Sequence, residues 1–189
     1  MVPVLWYRSG RCAGRIDSSD GIQTTVLYVH EYAEDFGAMH VPAKADYAIR
    51  AVVAIAAAGG GPISGASIAA SQQIPAKFLE SILADLRRAR IVTSTRGAEG
   101  GYSLARPARE IALADVIRVV DGPLAEVRGS RPEATTYDGS AAPLRDVWLA
   151  VRVALRRVLE RTSIADVASG KLPTYVCRLL EDPDVLVPH

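Results

Sequence analysis

The sequence predicts a mainly α-helical fold with a small β-wing and a long additional helix. Two short helical patterns separated by a tight polar turn occupy residues 62–90. Two strand-like segments joined by a glycine-rich connection follow within residues 91–104. A regular apolar stripe then runs through residues 144–159. Since two helices followed by a hairpin is the layout of a winged helix-turn-helix, we predict that domain together with a long dimerisation helix.

The composition is that of an ordinary globular chain. Hydrophobic residues make up 49% of the 189 residues and charged residues 23%, which suits one core with extensions. No apolar run approaches the roughly 20 residues that a membrane-spanning helix needs, and the N-terminal residues lack the order of a secretory signal. We therefore expect a cytoplasmic protein with no membrane partner.

Cysteine and histidine, the residue types that most often serve in catalysis or metal binding, are few and scattered in this chain. Cys12 and Cys177 lie near opposite ends of the chain, which is typical of neither a disulfide framework nor a cysteine-rich metal site. The three histidines, His30, His40 and His189, lie outside or at the edge of the predicted core, and no nucleophile, base and orienting acid converge. The sequence therefore predicts no enzyme and no metal site, and each cysteine is interpreted as a bystander or as a sensor of oxidants.

The charge is unevenly distributed although the net charge is only +1. Residues 39–122 contain 10 Lys and Arg against 7 Asp and Glu, whereas residues 1–38 contain 3 against 5 and residues 123–189 contain 9 of each. The basic excess coincides with the helix-turn-helix and the wing. A polyanionic partner suits this segment, although solvated protein surfaces also carry such a small excess.

Residues 1–38 show no clean period, and only Thr24–Val29 resembles a strand. Met39 is the only methionine after Met1. Two interpretations stay open: translation starts at Met39 and the preceding residues are not native, or these residues form a poorly ordered arm that touches DNA or a partner.

An alanine-rich pattern predicts a helix over residues 43–58, ended by three consecutive glycines. Lys44 and Arg50 lie outside its apolar face, where they could reach phosphate or serve solubility alone. The apolar face is wide enough for a core helix and contains Tyr47, Ala51, Ile55 and Ala58, widened by Ala48, Val52 and Ala54.

The predicted helix-turn-helix comes directly after this helix and its terminal glycines. Ser64 can cap the first helix, the turn is assigned to Ser71, Gln72 and Gln73, and Pro75 suits the first turn of the second helix because its missing N–H is not needed there. The three turn residues are candidate DNA contacts. The predicted buried face of the second helix consists of Phe78, Leu79, Ile82, Leu83 and Leu86, and the predicted exposed face of Ala76, Lys77, Glu80, Ala84, Arg87 and Arg88. Small and polar residues at the start of a helix favour an approach to DNA bases, but a merely solvated face has the same composition.

The wing adds a sharper signal. Ile91–Thr95 alternates β-branched residues, residues 96–101 form a connection with three glycines, and residues 102–104 form the return strand. An arginine at the rim of such a loop can enter a narrow minor groove, so Arg96 is the strongest DNA-contact candidate. Arg106 and Arg109 follow and could clamp the DNA backbone.

The remainder predicts one core helix, a loop and a long amphipathic helix. Ile111–Val120 places Ala114, Val116, Ile117 and Val120 on one face, and residues 124–142 have turn formers and no period. Such a long loop suggests a function, such as binding a small-molecule or protein effector. The stripe of the long helix comprises Leu144, Val147, Trp148, Val151, Ala154, Leu155, Val158 and Leu159.

This stripe indicates a packing partner. The favoured partner is the same helix of a second copy, because a two-fold dimer presents two recognition helices to two half-sites. The alternative is that the helix packs back on its own domain. Ser163–Asp166 has the spacing of a capping box and starts a short helix that ends near Gly170. The predicted units are an N-terminal extension (1–38), a winged helix-turn-helix domain (39–123), a loop (124–142), a dimerisation helix with a short helix (143–170) and an irregular tail (171–189).

In this order, the segments AKADYAIRAV, PIS, IPAKFLESILADLRRARIV, RGAEGGYSLARP and ADVIRVVDGPL resemble a family of winged-helix bacterial transcription regulators. Its members include the iron–sulfur cluster regulator, the nitric-oxide-sensing repressor and the cysteine-metabolism repressor, and the match covers residues 39–170. The resemblance implies a homodimer, usually a repressor, that binds palindromic double-stranded DNA and dimerises through residues 143–161. It also implies DNA contacts by Lys77, Glu80 and Arg96, and Phe78 matches an aromatic position of the family.

Three departures qualify the resemblance. Sensing members carry three cysteines between the segment that matches residues 121–124 and the long helix, and this interval has none here. Thiolates hold iron–sulfur clusters, and the carboxylates of the interval (Glu126, Glu133 and Asp138) are poor substitutes, so we predict no cluster and no cofactor. Arg90 replaces the usual glycine after the recognition helix, which could strain a left-handed cap, and Ala98 replaces a common proline of the wing.

The leading hypothesis is therefore a dimeric, sequence-specific DNA-binding regulator. A winged-helix module that binds protein instead of DNA is the alternative, because the loop lacks cysteines and residues 123–189 are electrically neutral.

Overall fold

The computed structural model describes residues 41–97, 99–183 and 185. The expectations for residues 1–38, for Met39 and for Ala98 lie outside the described residues. The described chain is mainly helical with a single antiparallel hairpin. The elements in chain order are α1 (Ala43–Ala57), α2 (Gly65–Gln72), α3 (Ala76–Arg88), β1 (Val92–Thr95), β2 (Gly101–Leu104), α4 (Leu113–Val120), α5 (Leu144–Leu159), α6 (Ile164–Ser169) and α7 (Thr174–Leu179).

The alanine-rich helix α1 lies at the centre of the fold. Ala45, Ala48 and Ala51 are completely buried, and α1 contacts α2, α3, α4, α6 and β2. Small side chains let these neighbours approach its backbone closely, which explains the alanine content. The predicted stripe is correct except at Ala58, which is exposed because α1 ends at Ala57.

The helix-turn-helix forms as predicted, with a shifted turn. The hydroxyl of Ser64 caps α2 by accepting the N–H of Ser67 at 3.0 Å. Helix α2 continues to Gln72, so the turn begins at Gln73, whose φ of 53° is left-handed. The sequence misplaced this boundary because a polar residue other than glycine takes the left-handed position. Pro75 precedes α3 as its N-cap residue.

The wing is a regular hairpin in which Val92 pairs with Leu104 and Thr95 pairs with Gly101. A bridge between Ile63 and Tyr102 attaches the hairpin to the segment before α2. Gly101 is required at this contact, because a Cβ atom there would lie 2.5 Å from the carbonyl oxygen of Ile63.

The segment 124–142 is ordered by short turns rather than by a periodic element. It contains a Val127–Ser130 bridge and 3-10 turns at Pro132–Ala134 and Gly139–Ala141. Pro132 and Thr135 are buried, and the Thr135 hydroxyl donates to the Pro132 carbonyl oxygen at 2.7 Å. The turn at Pro132–Ala134 packs against α5. Turns of this kind have no sequence period, which is why the sequence predicts only a loop.

The C-terminal region shows two features that the sequence does not predict. Ile164 of α6 is completely buried and α6 packs on α1, so this short helix contributes to the winged-helix core. The tail, predicted to be irregular, contains α7. The Tyr175 hydroxyl anchors α7 by hydrogen bonds to the Thr162 hydroxyl at 2.8 Å and the Val158 carbonyl oxygen at 3.1 Å, contacts too distant in sequence to be predicted.

Helix α5 differs from the other long helices because none of its side chains is fully buried. Among the helices of the described ranges, none combines the length and the apolar character that crossing a membrane requires.

Candidate nucleic-acid interface

Helix α3 presents a polar stripe to solvent. Its apolar side packs into the core through Leu79, Ile82, Leu83 and Leu86. Lys77, Glu80 and Arg87 are exposed, and their spacing places them with half-buried Ala84 on one side of the helix. A helix held in this way exposes a fixed row of side chains, as insertion into a DNA groove requires.

The predicted burial of Phe78 is wrong. Its side chain is 52% exposed, and its ring meets Tyr47 edge-on with the ring centroids 6.2 Å apart. The physical reason is helical geometry: Phe78 immediately precedes Leu79, so its side chain projects about 100° away from the centre of the buried stripe. Phe78 therefore contacts Tyr47 of α1 and stays about half exposed to solvent.

The wing is tied to the end of α3. The guanidinium of Arg87 donates to the Ser94 hydroxyl of β1 at 3.4 Å. Arg96 follows β1 and is exposed. Within the described chain, the side chains of Lys77, Glu80 and Arg96 have neither an ion-pair nor a hydrogen-bond partner, so all three are available to a ligand.

Lys44, a predicted phosphate contact, is engaged inside the protein. Its ammonium lies 2.9 Å from the Asp85 carboxylate, which also pairs with Arg88 at 3.0 Å. The hydrogen bond from Lys44 is the main cause that lowers the pKa of Asp85 below its ordinary value. Lys44 thus joins α1 to α3, and it could reach DNA only by leaving Asp85.

Arg106 is engaged in a similar way. Its guanidinium lies 2.8 Å from the Asp115 carboxylate. The same carboxylate accepts the Ala112 N–H at 3.3 Å, which caps the start of α4. The predicted contact of Arg106 with the DNA backbone therefore competes with an internal ion pair.

Arg50 has a structural role that the sequence did not reveal. Its guanidinium donates to the carbonyl oxygen of Gln72, pairs with Asp46 at 3.2 Å and lies 5.6 Å from the centre of the Tyr47 ring. It thereby satisfies the carboxyl end of α2 and fixes the turn to α1. Its sequence position outside the apolar face of α1 was the available signal, but its partner is 22 residues away.

The turn residues divide into two groups. Ser71 and Gln73 are exposed, whereas Gln72 is half-buried and its carbonyl is held by Arg50. The Ser71 hydroxyl donates to the Ile68 carbonyl oxygen at 3.2 Å. Of the predicted turn contacts, Ser71 and Gln73 are therefore the accessible ones.

A shallow groove lies beside Glu80, and the sequence did not predict it. Its volume is about 310 Å³, and its walls come from the start of α2, the first turns of α3 and Tyr102 of β2. The small residues Gly65, Ala66 and Ala76 leave the space open. A methyl-sized apolar group could enter next to the Glu80 carboxylate.

The residues present do not fit an iron–sulfur cluster. No Cys or His occurs in the interval 124–142. Glu133 is engaged by Arg152, and its pKa is lowered by a backbone hydrogen bond and by that guanidinium. Cys177 lies in α7, outside the interval. In residues 41–97, 99–183 and 185, no group of three or more His, Cys, Asp or Glu side chains is placed to hold a metal ion.

Comparison with known proteins identifies the family of the chain. Residues 41–170 match the sequence profile of Rrf2, described as an iron-dependent transcriptional regulator. The chain belongs to the Rrf2 family. A Mycobacterium tuberculosis protein that is named as an HTH-type transcriptional regulator is 50% identical to this Rrf2 protein over 145 residues, which is 76% of this chain and 90% of the relative.

Solved Rrf2 structures share the fold. The global cysteine regulator CymR of Bacillus subtilis superposes with a TM-score of 0.61 at 33% identity, over 70% of this chain and 98% of CymR. IscR of T. potens gives a TM-score of 0.58 at 35% identity, over 69% and 87% of the two chains. These likenesses confirm the predicted winged helix-turn-helix and the predicted family.

The family also establishes the general function. This Rrf2 protein is a DNA-binding transcriptional regulator, and the alternative of a protein-interaction module is not favoured. The family description names iron, whereas the described residues here do not fit an iron–sulfur cluster.

Proposed function

We propose that this Rrf2 regulator is a cytoplasmic homodimeric repressor that recognises a two-fold symmetric operator without an iron–sulfur cluster and without catalytic activity. The observation that carries this proposal is the stripe of α3 beside the wing. Lys77, Glu80 and Arg96 are exposed and unpaired within the described chain, and the Arg87–Ser94 hydrogen bond holds the two elements together.

The two elements would read different grooves. In the major groove, Lys77 is suited to the acceptor atoms of guanine, and Glu80 can accept a hydrogen bond from the amino group of cytosine. The groove beside Glu80 has room for the methyl group of a neighbouring thymine. Arg96 would enter the minor groove, where narrow A·T tracts attract guanidinium groups.

We expect the remaining predicted DNA contacts to contribute less to binding than Lys77, Glu80 and Arg96. Ser71 and Gln73 are exposed at the turn and would position the phosphate backbone. Lys44 and Arg106 would exchange Asp85 and Asp115 for phosphate, which weakens their expected contribution. Gln72 would support DNA binding mainly through its backbone, because its carbonyl oxygen is held by Arg50 at the end of α2.

Dimerisation is assigned to the exposed side of α5. Leu144 is 40% and Val147 49% exposed, and both continue a stripe of half-buried apolar side chains. The indole N–H of Trp148 is buried without a hydrogen-bond partner in the described chain, as expected if a second copy supplies an acceptor. The stripe comprises Leu144, Val147, Trp148, Val151, Leu155 and Val158, whereas Leu159 packs against its own core and is removed from the interface.

The two-fold arrangement follows from symmetry. A second copy of α5 on this stripe makes an isologous interface, because the same surface serves both chains. Two α3 helices then face two half-sites of one operator. A dimer bound there would exclude other proteins from the DNA, which is the basis of repression.

The test is fluorescence anisotropy with labelled duplexes from the DNA upstream of the gene, in low salt and at several salt concentrations. Combining Lys77→Ala with Arg96→Ala should weaken specific binding on the order of 100-fold, because each contact contributes about 1–3 kcal/mol. Glu80→Ala should mainly relax the preference at one base pair of each half-site.

Arg157→Ala combined with Lys171→Ala is the matched control, since it removes the same charge from exposed positions outside α3 and the wing. This control should retain specific binding. If the native protein does not bind these duplexes in low salt, the proposal that it recognises the DNA upstream of its gene is wrong. Unchanged binding by the Lys77/Arg96 double variant would contradict the assigned contacts.

A further inference from the structure

A pocket of about 310 Å³ lies between α4, the segment after it and α5. Four of its lining side chains are arginines that come from three parts of the chain. Arg118 belongs to α4, Arg131 to the connecting segment, and Arg152 and Arg156 to α5. Like charges repel one another, so their convergence on one concave surface requires compensating anions.

Glu160 neutralises part of the positive charge of these four arginines. Its carboxylate accepts a hydrogen bond from Arg118 and another from the Nε of Arg156, the latter at 2.9 Å. The bond from Arg156 and then that from Arg118 lower the pKa of Glu160, so this carboxylate is ionised at neutral pH. Asp115 lies 3.9 Å from Arg118 but has a closer partner in Arg106 at 2.8 Å.

The other compensating group is Glu133, which pairs with Arg152. Arg131 has no ion-pair partner within the residues that the structure describes, and its side chain is exposed. Four guanidinium groups therefore line the pocket against two paired carboxylates, which leaves an excess of two positive charges. Each guanidinium has five N–H donors, so the existing ion pairs leave donors free.

We infer that this pocket is a binding site for a small polyanion that carries two or more carboxylate or phosphate groups. Guanidinium groups bind both kinds of group through pairs of parallel hydrogen bonds. The existing ion pairs hold three of the four guanidinium groups in place before a ligand arrives, which lowers the entropic cost of binding. Pro123 and Leu124 add a short apolar wall that suits the carbon frame of a small metabolite.

The position of the pocket gives binding a consequence for the structure. Arg118 lies on α4, whose Val116 and Ile117 are buried in the winged-helix core. Arg152 and Arg156 lie on α5, on the side next to the apolar stripe rather than within it. A bound anion would therefore cross-link the DNA-reading domain to α5. This inference does not depend on the proposed operator contacts.

Isothermal titration calorimetry of the full chain without DNA tests the site, with citrate and inorganic pyrophosphate as probes at constant ionic strength. At least one probe should bind saturably, one per chain, with a Kd below about 1 mM. Arg131→Gln should weaken that binding about tenfold, because it removes a charge-assisted hydrogen bond to the anion. Adding Arg152→Gln should abolish it.

Arg157→Gln is the control, because it makes the same charge change on α5 outside the pocket, and its affinity should equal that of the native chain. Circular dichroism would verify that Arg131→Gln is folded, as expected for an exposed side chain. No saturable binding of either probe up to about 10 mM would overturn the inference, as would an equal loss in Arg157→Gln. DNA affinity that depends on Arg131 without binding of either probe would overturn it as well, since these arginines would then be phosphate contacts of the duplex.

Discussion

The guanidinium of Arg50 donates a hydrogen bond to the carbonyl oxygen of Gln72 and thereby connects α1 to the end of α2. This contact lies directly before the turn that orients α3. Arg50→Lys should destabilise the fold by about 1–2 kcal/mol, because an ammonium does not reproduce the planar fork that contacts Gln72, Asp46 and the Tyr47 ring together. Urea unfolding followed by circular dichroism measures this loss.

Asp46→Asn separates the parts of that network. It removes only an exposed i,i+4 ion pair and should cost less than about 0.5 kcal/mol. If the two variants unfold at the same urea concentration, the carbonyl contact of Arg50 is not what stabilises the turn.

A second prediction concerns the backbone after α3. Arg90 has a φ of 58°, a left-handed conformation that glycine adopts more readily. Arg90→Gly should raise the free energy of unfolding by about 0.5–1 kcal/mol, because relief of the strain exceeds the extra chain entropy of glycine in the unfolded state. Thermal and urea unfolding measure whether Arg90→Gly raises or lowers the free energy of unfolding.

Ala89→Gly is the neighbouring control. Ala89 has a φ of −82°, where glycine relieves no strain, so this substitution should destabilise the protein. A similar effect of both substitutions would show that the left-handed geometry does not control stability at this site.

The pKa of Asp85 predicts an acid-sensitive contact. Because the folded state lowers this pKa mainly through the Lys44 hydrogen bond, the unfolded chain binds the proton more tightly. The ion pair therefore contributes its full stability above the ordinary pKa of 3.8, and that stability is lost as the pH falls through the lower folded value. Urea unfolding of the native chain and of Asp85→Asn, from neutral pH into the acid range below the ordinary pKa of 3.8, measures the difference in stability.

Asp85→Asn should lose less stability than the native chain over the acid part of this range. Lys44→Met should flatten the same part of the profile, because it removes the main cause of the lowered pKa. Parallel profiles for all three proteins would rule out the Lys44–Asp85 pair as the acid-sensitive contact.

The proposed dimer can be tested with two valines of α5. Val147→Glu places a charge in the apolar stripe and should give a folded monomer with weakened operator binding, because burying an unpaired carboxylate is costly. Analytical ultracentrifugation measures the association state. Val153 is similarly exposed, at 45% against 49% for Val147, but lies on the opposite side of the helix, so Val153→Glu should remain dimeric. Dimerisation of Val147→Glu with native affinity is incompatible with the assigned interface.

The cysteine-free interval predicts an operator affinity that is independent of iron. Protein purified without oxygen should lack the visible absorption of iron–sulfide charge transfer, and a chelator should leave DNA binding unchanged. Stoichiometric iron and sulfide in the purified protein would contradict the conclusion that this interval does not hold an iron–sulfur cluster.

Local contacts made much of the fold predictable. The caps at Ser64 and Ser163 join groups three residues apart, and the structure contains both. The buried faces of α1 and α4 follow from helical period. Phe78 shows the limit of such patterns: it adjoins an apolar stripe in sequence, but helical geometry and contact with Tyr47 leave it half in solvent.

The order of the elements up to α6, the helix-turn-helix with its wing and the family can be predicted from the sequence, because these depend on residues a few positions apart. Which charged side chains remain free depends on packing in three dimensions. Lys44 pairs with Asp85 across 41 residues, and Arg118 pairs with Glu160 across 42. Such partners are chosen by packing, since a charge takes the nearest opposite charge that the fold supplies. The same packing left Lys77, Glu80 and Arg96 exposed and brought four arginines to one pocket.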